Sequence, residues 1–456
     1  MVVPVFGPAW LQRQLTDLGV PARGAQLCIA FSGGLDSSAL LHALAQLRSA
    51  KPARFALRAL HIDHQLQSAS AQWAAQARVV ARQQRVPLEV ITVRVDSRGR
   101  SVEAAARDAR YAALTGALHA GEFLLTAQHL DDQFETVLLQ LLRGAGVAGL
   151  AAMPARANLA RGVLLRPLLP VSRAALRAYV EAQRLTWCED DSNADPRFDR
   201  NFLRLQVLPS LLQRWPAAAQ TVARSASLMA EAQELLTVTA ERDWRTAVDG
   251  AALRVSALRA LSPAARANLL RYWLRQRGLP LPDQARLREL AGPLLAARGD
   301  SQPHIRWPGA EVHRFDGRLH AFSGLMPAPT GSIDWSWLRR RTLIVPGAGI
   351  LRLREDPHGT LDLSRLPRRL QLGFRGGGER LAGARGHHTL KEWLRTQRLA
   401  PWERTRLPLI HADGRLIAVA DRWYSPALAA TETSRRRARL EWIWSYEAPT
   451  VTAETL

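Results

Sequence analysis

The sequence contains few cysteines and no long apolar run. Cys28 and Cys188 are the only two thiols among 456 residues, and they form neither a CxxC metal or redox motif nor a disulfide framework. No segment approaches the roughly 20 apolar residues that a membrane-spanning helix needs. The first residues also lack the basic and apolar segments of an export signal. We therefore expect a cytoplasmic protein without a membrane segment.

Lysine is also scarce, although the chain is strongly basic. Lys51 and Lys391 are the only lysines, so 60 of the 62 Lys and Arg residues are arginine; against 40 Asp and Glu, the net charge is +22. The planar guanidinium of arginine matches the geometry of phosphate oxygens. A positive excess of this size indicates a polyanionic partner, with nucleic acid favoured over a membrane surface.

The pattern of apolar residues predicts three domains. With 47% hydrophobic and 22% charged residues, the chain is too apolar to be disordered. Residues 1–215 alternate apolar runs with helical patterns, which predicts an α/β domain with a parallel sheet. Residues 216–325 predict a helical middle domain, and residues 335–445 a small α+β domain after a linker at 324–332. The predicted strands are 27–31, 55–62, 87–95 and 122–127, and the predicted helices are 37–48, 69–84, 101–119 and 131–142.

The most informative segment is a loop that follows the first predicted strand and precedes a helix, SGGLDSS (32–38). Consecutive glycines turn backbone amides toward an anion, and the N-terminus of the helix favours negative charge. The loop lacks the lysine of GxxxxGK[ST], and a carboxylate beside a polyphosphate fits a bound Mg²⁺. A tight turn with an N-capping side chain is the alternative. The predicted ATP-binding residues are Ser32, Gly33, Gly34, Leu35, Asp36 and Ser37, with Asp36 as the magnesium ligand.

A second polar group lies at the strand-to-helix junction near residue 130. Asp132, Glu135 and Thr136 share one face of the predicted helix, and His129 precedes its first turn. These side chains can converge on one ligand. Acidic residues that favour a helix N-terminus are the alternative explanation, although they leave His129 unexplained.

Several segments together resemble one family. The loop is similar to that of the ATP pyrophosphatases, which split ATP between its α- and β-phosphates. The other segments resemble the tRNA(Ile)-lysidine synthases over most of the chain, although Gln128 stands where their AHHxDDQxET pattern has a histidine. These segments are LHIDHQL (60–66), SVEAAARDARY (101–111), QHLDDQFET (128–136), RGAGVAGL (143–150), EDDSN (189–193) with Arg200, Asn201 and Arg204, FRGGGER (374–380), TLKEWL (389–394) and PWERTRLPL (401–409).

The resemblance implies an enzyme that joins free L-lysine to a tRNA. ATP, with Mg²⁺, would adenylate the C2 oxygen of the wobble cytidine in an isoleucine tRNA with the anticodon CAU, and the ε-amine of lysine would then displace AMP. The oligomeric state stays open, with a homodimer as one option. The implied catalytic residues are Asp36, His129, Asp132 and Arg143, the implied lysine-binding residues are Glu103, Asp131 and Glu135, and the implied tRNA-binding residues are Arg200, Arg204, Arg375, Arg380, Lys391, Arg395 and Arg404.

Three other functions fit parts of the sequence. A tRNA thiolase of the same superfamily would need cysteines to carry sulfur, and a chain with two cysteines disfavours it. A catalytically silent RNA-binding protein would have no need to retain Asp36 and Ser37. A small-molecule ligase such as an argininosuccinate synthetase would leave the net charge of +22 without a partner.

Overall fold

The structure is a computed structural model that describes residues 5–50, 55–65, 67, 69–96, 102–159, 161–189, 195–297, 303–383, 386–397 and 399–445. It divides the chain into two compact units, one up to Leu236 and one from Thr237 onward. The finer division into three domains stays a prediction. No described helix is both long and apolar enough to cross a membrane.

The first unit is built on a six-stranded sheet. Its strands are β1 (Ala25–Ala30), β2 (Phe55–Asp63), β3 (Leu88–Thr92), β4 (Phe123–Leu125), β5 (Arg156–Leu159) and β6 (Gly162–Leu165). Their order is β3–β2–β1–β4–β6–β5, and all neighbours are parallel except β5 and β6. The predicted parallel sheet is confirmed, and each predicted strand is present with its ends shifted by at most three residues. The edge hairpin β5–β6 was not predicted.

Helices cover both faces of this sheet. They are α1 (Pro8–Asp17), α2 (Leu35–Ala50), α3 (Ser70–Gln83), α4 (Val102–Ala117), α5 (Leu130–Leu142), α6 (Val147–Leu150), α7 (Arg173–Ala182), α8 (Asp199–Phe202), α9 (Leu208–Arg214) and the first part of α10 (Ala218–Ala247). Leu27 and Ile29 of β1 point into one core, whereas Cys28 packs with Leu60 and Leu114 in a second core. This burial on both faces explains why β1 is a continuous apolar run.

The strand order places a crevice where function is expected. Counting outward from β1, the chain runs to β2 on one side and later to β4 on the other, so the order reverses between β1 and β4. Ligands of open α/β sheets bind at the carboxyl ends of the strands at such a reversal. The SGGLDSS loop follows β1, and His129 follows β4, so both polar segments lie at this point.

The second unit begins with helices and an antiparallel sheet. Its elements are the end of α10, α11 (Val255–Ala260), α12 (Pro263–Gln276), α13 (Gln284–Ala291), α14 (Pro293–Ala296), β7 (Val248–Asp249), β8 (Ala252–Arg254), β9 (His304–Trp307), β10 (Ala310–Phe315) and β11 (Arg318–Phe322). The sheet order is β7–β8–β11–β10–β9, and helices and sheet share a core around Leu270, Trp273 and Val312.

The helical pattern predicted for residues 216–325 is present, but the prediction missed these five strands. Asp316 and Gly317 have φ values of 45° and 70°, which form the two-residue turn between β10 and β11. Pro308 and Gly309 form the two-residue turn between β9 and β10, where only Gly309 has a positive φ, of 80°. Both dipeptides are hairpin signals in the sequence, and the helical spacing on their N-terminal side hid them.

The remainder of the second unit is mostly antiparallel sheet. Its elements are β12 (Ile333–Trp335), β13 (Thr342–Val345), β14 (Gly349–Glu355), β15 (Leu361–Asp362), β16 (Leu370–Gly373), β17 (Arg380–Gly383), β18 (Gly386–Thr389), α15 (Leu390–Thr396), α16 (Pro401–Arg404), β19 (Leu409–Ala412), β20 (Arg415–Val419), β21 (Trp423–Tyr424) and β22 (Arg437–Trp444). One sheet has the order β12–β16–β19–β20–β21 and another the order β13–β14–β22–β15. They enclose a core that includes Trp335, Leu372 and Trp442, so the predicted small α+β domain is confirmed in its fold.

Trp402 joins the two halves of the second unit. Its indole ring lies edge-on to His313 at 5.0 Å, His320 at 5.2 Å and Phe322 at 5.4 Å between ring centroids. Phe322 and Trp402 are both buried in one small apolar cluster, against which Leu325 packs. The predicted linker at 324–332 has no regular structure, yet this cluster fixes α16 against β10 and β11.

Part of the arginine excess supports the fold. Arg266 donates hydrogen bonds to the carbonyl oxygens of Leu258 and Ala291 at 2.9 and 2.7 Å, and Arg314 donates to that of Leu295 at 2.9 Å. Each guanidinium satisfies carbonyl groups left over at helix ends. The net charge therefore overstates the number of arginines that are available to a polyanion.

We expect Trp402→Ala to destabilise the second unit by about 3–5 kcal/mol, because the truncation opens a cavity in a buried cluster. The matched control is Trp215→Ala, since Trp215 is 58% exposed and its removal leaves no cavity. Calorimetric unfolding of both variants tests this expectation. Equal melting profiles for the two variants would show that the Trp402 cluster contributes no stability.

Candidate nucleotide-binding site

Hydrogen bonds of its own serines stabilise the SGGLDSS loop. Gly33 has φ +84°, a backbone conformation that residues other than glycine rarely adopt. The Ser32 and Ser37 hydroxyls lie 3.0 Å apart, and the Ser37 hydroxyl also donates to the carbonyl oxygen of Gly34 at 3.0 Å. These bonds stabilise the turn from β1 into α2, which brings Gly34, Asp36 and Ser37 to the crevice.

Cys188 packs against the loop, and Cys28 is buried inside β1. The Cys188 amide donates to the carbonyl oxygen of Gly33 at 2.9 Å, which fixes the back of the loop. Burial raises the pKa of the Cys188 thiol, and burial inside β1 raises the pKa of Cys28 to about 12. Both thiols are therefore protonated at neutral pH, which is the wrong state for sulfur transfer.

A cleft of about 690 Å³ opens in front of the loop. This volume lies within the range of small-molecule sites. Three kinds of residue line it: residues of the loop, apolar residues and arginines. They are Ser32, Gly34, Asp36 and Ser37 in the loop, the apolar residues Phe31, Leu60, Ile62 and Leu114, and the arginines Arg107, Arg110, Arg200 and Arg204.

His129 lies at the back of the cleft among three carboxylates. Its Nε2 is 3.6 Å from Asp36 Oδ2 and 3.4 Å from Asp132 Oδ2, and its Nδ1 is 3.5 Å from Asp131 Oδ2. The ring is 2% exposed. His129 therefore connects the loop after β1 with the start of α5.

The carboxylates decide the charge of this ring. Burial favours the neutral form of His129, but the attraction of the Asp132, Asp131 and Asp36 carboxylates outweighs it and raises its pKa to about 10. A protonated Nδ1 has no lone pair, so the 3.4 Å approach of the Asp132 amide to this atom is a contact without a hydrogen bond. The helix is still capped, because the Asp132 carboxylate accepts from the His129 amide at 3.0 Å.

Glu135 and Asp132 are paired with two arginines on the other side of α5. Arg200 Nε is 2.6 Å from Glu135 Oε2, Arg204 Nε is 2.7 Å from Glu135 Oε1, and Arg200 Nη2 is 3.0 Å from Asp132 Oδ1. Glu135 is 1% exposed. A π-helical turn (Leu203–Val207) follows α8 and carries Arg204. Such turns are frequent at functional sites.

Comparison with known proteins adds the decisive observation. A PP-loop domain model matches residues 9–211, a TilS substrate binding domain model matches 253–320, and a TilS substrate C-terminal domain model matches 370–442. The tRNA(Ile)-lysidine synthase of Alkalilimnicola ehrlichii is 44% identical over 92% of this chain and 94% of its own. Those of Serratia proteamaculans (42% identity, 91% and 95% covered) and Pseudomonas putida (44%, 86% and 91%) are similar.

The chain belongs to the tRNA(Ile)-lysidine synthase family. The resemblance stated from its motifs is therefore confirmed, and with it the PP-loop class of the first unit. The structure brings together most of the residues that the family pattern selected: Ser32, Gly33, Gly34, Leu35, Asp36, Ser37, His129, Asp131, Asp132 and Glu135 lie in or directly behind the cleft.

One of the selected residues lies away from the cleft. Arg143 caps the far end of α5, is 62% exposed and lies 3.6 Å from Asp199. Eleven residues of helical rise separate it from Asp132, roughly 16 Å. The side chain of Glu103 lies outside the described residues, as do Asp190 to Asn193 of the EDDSN segment.

The arginines and the lysine assigned to tRNA fall into two groups. Arg200 and Arg204 are engaged with Glu135 and Asp132, and Arg404 donates to the carbonyl oxygen of Leu399 at 2.8 Å. The remaining four are exposed on the second unit: Arg375, Arg380, Lys391 and Arg395. Only this second group presents its charge directly to solvent.

The sequence reasoning assigned no role to Arg110, which lines the cleft. Its guanidinium makes no hydrogen bond or ion pair within the described part of the chain, and burial lowers its pKa. Gln128, which replaces the family histidine, also lines the cleft, and its Oε1 is buried without a partner among the described residues. A half-buried cation without an ion pair among the described residues is a binding signal that spacing along the chain does not detect, because it depends on which groups lie nearby in space.

The raised pKa of His129 predicts a pH-dependent contribution to stability. The folded value of about 10 lies above the ordinary value of 6.5, so the charged ring stabilises the fold fully below pH 6.5. That contribution is lost as the pH rises through 10. We expect the difference in melting temperature between wild type and His129→Gln to be largest at pH 6 and to shrink toward pH 10. A difference that grows with pH would show that the ring is neutral.

Proposed function

We propose that this protein is a ligase that joins L-lysine to C2 of the wobble cytidine in an isoleucine tRNA with the anticodon CAU, using ATP and releasing AMP and pyrophosphate. The observation that carries the proposal is the SGGLDSS loop, whose Asp36 contacts His129 beside Asp131 and Asp132 at one cleft, in a chain of this family. The loop supports cleavage of ATP at its α-phosphate. Membership of the family supports the wobble cytidine of the isoleucine tRNA as the acceptor of lysine.

The cleft offers a matching surface to each part of ATP. The loop amides and the N-terminus of α2 suit the phosphates. The apolar part of the cleft lining, in which Ile62 is partly exposed, suits the adenine ring, since it offers a dry surface for a flat heterocycle. Arg110 adds a cation that forms no ion pair or hydrogen bond with the described residues, although the charge of Asp132 acts on it. We assign it to the phosphates of ATP or of the bound nucleotide.

Asp36 is the residue that we assign to Mg²⁺. Its Oδ1 is buried and has no hydrogen-bond partner among the described residues. A carboxylate oxygen is also the donor that Mg²⁺ takes beside phosphate oxygens. The described residues contain no group of three or more His, Cys, Asp or Glu that would hold a metal alone, so phosphate and water would complete the coordination. When bound, the ion would stabilise negative charge on the pyrophosphate.

Lysine carries two ammonium groups and needs carboxylates. Three residues were selected for lysine. The Glu135 carboxylate is already paired with two arginines, and the Glu103 side chain is outside the described residues. Asp131 is 32% exposed, with its Oδ2 directed at His129 and at the Arg173 amide. We therefore favour Asp131, together with the cleft residue Asp132, for the lysine substrate.

The tRNA is the extended polyanion that the basic surface requires. We assign its phosphates to the exposed cations Arg375, Arg380, Lys391 and Arg395. Arg143 is exposed beyond the cleft, so we reassign it from the reacting atoms to the part of the tRNA outside the nucleotide site.

The direct test is incubation of the protein with ATP, radiolabelled lysine and the CAU isoleucine transcript. We expect label to enter the tRNA with one AMP and one pyrophosphate released per lysine. A methionine tRNA with the same anticodon is the matched control and should stay unlabelled. Sulfur transfer, or no covalent label with any tRNA, would contradict the proposal.

Asp36→Asn should abolish pyrophosphate release while tRNA affinity changes little, because the variant removes the metal-binding carboxylate and leaves the exposed cations intact. The control is Asp17→Asn, an exposed carboxylate on α1. Pyrophosphate release and filter binding of tRNA are measured for both variants. Release at the wild-type rate in Asp36→Asn would rule out the metal role of Asp36.

Asp132→Asn and Glu135→Gln should differ in kind. Asp132 lines the cleft, so its replacement by asparagine should raise the lysine concentration that is required for the half-maximal rate. Glu135→Gln breaks the buried ion pairs of Arg200 and Arg204 and leaves Asp132 as their one remaining carboxylate partner among the described residues, which costs up to about 3–5 kcal/mol of stability for a broken buried pair. Lysine kinetics and urea unfolding separate the two. Wild-type lysine kinetics in Asp132→Asn would show that Asp132 does not bind lysine and serves only the structure at the start of α5.

A further inference from the structure

A glycine loop on the second unit has the geometry of an anion site. The segment Phe374–Glu379 connects β16 to β17. The amides of Gly376 and Gly377 donate to the same oxygen, Oε1 of Glu379, at 2.6 and 2.8 Å. Two successive amides that converge on one oxygen form a nest, the backbone arrangement that binds phosphate in many proteins. We call this segment, with Arg380, the glycine nest (374–380).

The glycines are not all explained by the fold. Gly377 and Gly378 have φ of +101° and +84°, which requires glycine. Gly376 lies outside the left-handed region, and an added Cβ would meet only Glu379 Oε1, at 3.9 Å. Neither conformation nor packing therefore demands glycine at this position. A ligand that approaches the backbone closely would demand it.

The charges around the nest match a polyanion. Arg375 and Arg380 flank it, both are exposed, and neither guanidinium has a hydrogen bond or ion pair within the described ranges. Glu379 is the only acidic residue in the segment 374–380. Its pKa is lowered: burial raises it, but the amides of the nest and the charge of Arg375 lower it more strongly. The nest therefore holds its own carboxylate as an anion.

We propose that the glycine nest binds a backbone phosphate of the tRNA, and that in the free protein the Glu379 carboxylate occupies the place of this phosphate and is displaced on binding. The inference rests on the proposed function, since it takes tRNA as the substrate. It adds backbone amides to the arginine contacts assigned above and makes Glu379 a competitor of the substrate. The alternative is that Glu379 only braces the loop.

Two variants separate these readings. Glu379→Gln keeps an oxygen for the amides but removes the competing charge, so tRNA should bind roughly threefold to tenfold more tightly. Gly376→Ala is compatible with the backbone but places a methyl group at the mouth of the nest, so tRNA should bind roughly threefold to tenfold more weakly. The slope of log affinity against log salt should also become shallower by about one phosphate contact. Asp413→Asn, which removes one exposed carboxylate from a turn of the same unit, controls for net charge.

The experiment is filter binding of the CAU isoleucine transcript to the full-length proteins over a salt series, with melting temperatures recorded. Tighter binding by Glu379→Gln than by Asp413→Asn, and weaker binding by a fully folded Gly376→Ala, support the proposal. It is overturned if Gly376→Ala binds as wild type, or if Glu379→Gln binds no more tightly than the control. A melting point raised by inorganic phosphate at fixed ionic strength, lost in Gly376→Ala while tRNA affinity is unchanged, would assign the nest to free phosphate and also overturn it.

Binding and modification are measured separately, so the two proposals can fail independently. If the variants change tRNA binding as expected but no lysine enters the tRNA, the nest stands and the proposed ligase activity fails. If lysine is incorporated and neither variant changes binding, the activity stands and the nest fails.

Discussion

The buried contact between His129 and three carboxylates connects the two halves of the candidate site. One carboxylate, Asp36, belongs to the loop after β1, and the other two, Asp131 and Asp132, begin α5 after β4. Three negative groups this close would repel each other and carry a large desolvation cost. A charged imidazolium between them removes the repulsion and fixes their positions. The crevice at the reversal of strand order keeps its shape because this one ring holds both of its edges.

The same requirement for charge balance extends across α5. Asp132 faces His129 on one side and Arg200 on the other, and Glu135 continues the pairing with Arg200 and Arg204. These ion pairs fix α8, which carries Arg200, and the π-helical turn, which carries Arg204, against α5. A substrate with ammonium groups entering this network would exchange one cation for another, so binding need not create a new buried charge.

Besides Arg110 in the cleft, the described arginines show three uses. Arg200 and Arg204 neutralise buried carboxylates, Arg266 and Arg314 satisfy helix-end carbonyl groups, and Arg375 and Arg380 remain exposed. Only the last use bears on a polyanion. The amino-acid composition does not distinguish these three uses. The net charge therefore indicates a negatively charged partner but does not show where on the protein this partner binds.

The sequence alone determined the parallel sheet of the first unit, the SGGLDSS loop and the family, because apolar period, glycine spacing and short motifs are local properties of the chain. It also selected His129 and its neighbouring carboxylates. Tertiary structure decided how these groups pair. Arg200 and Glu135 are 65 positions apart, and only folding shows that they neutralise each other, that Arg143 lies beyond the cleft, and that Arg110 lies in it without a described counterion. The strands at 304–322 and the docking of Trp402 were likewise settled by packing. Pairing, burial and isolation of charge depend on distances through space, and residue spacing along the chain does not record those distances.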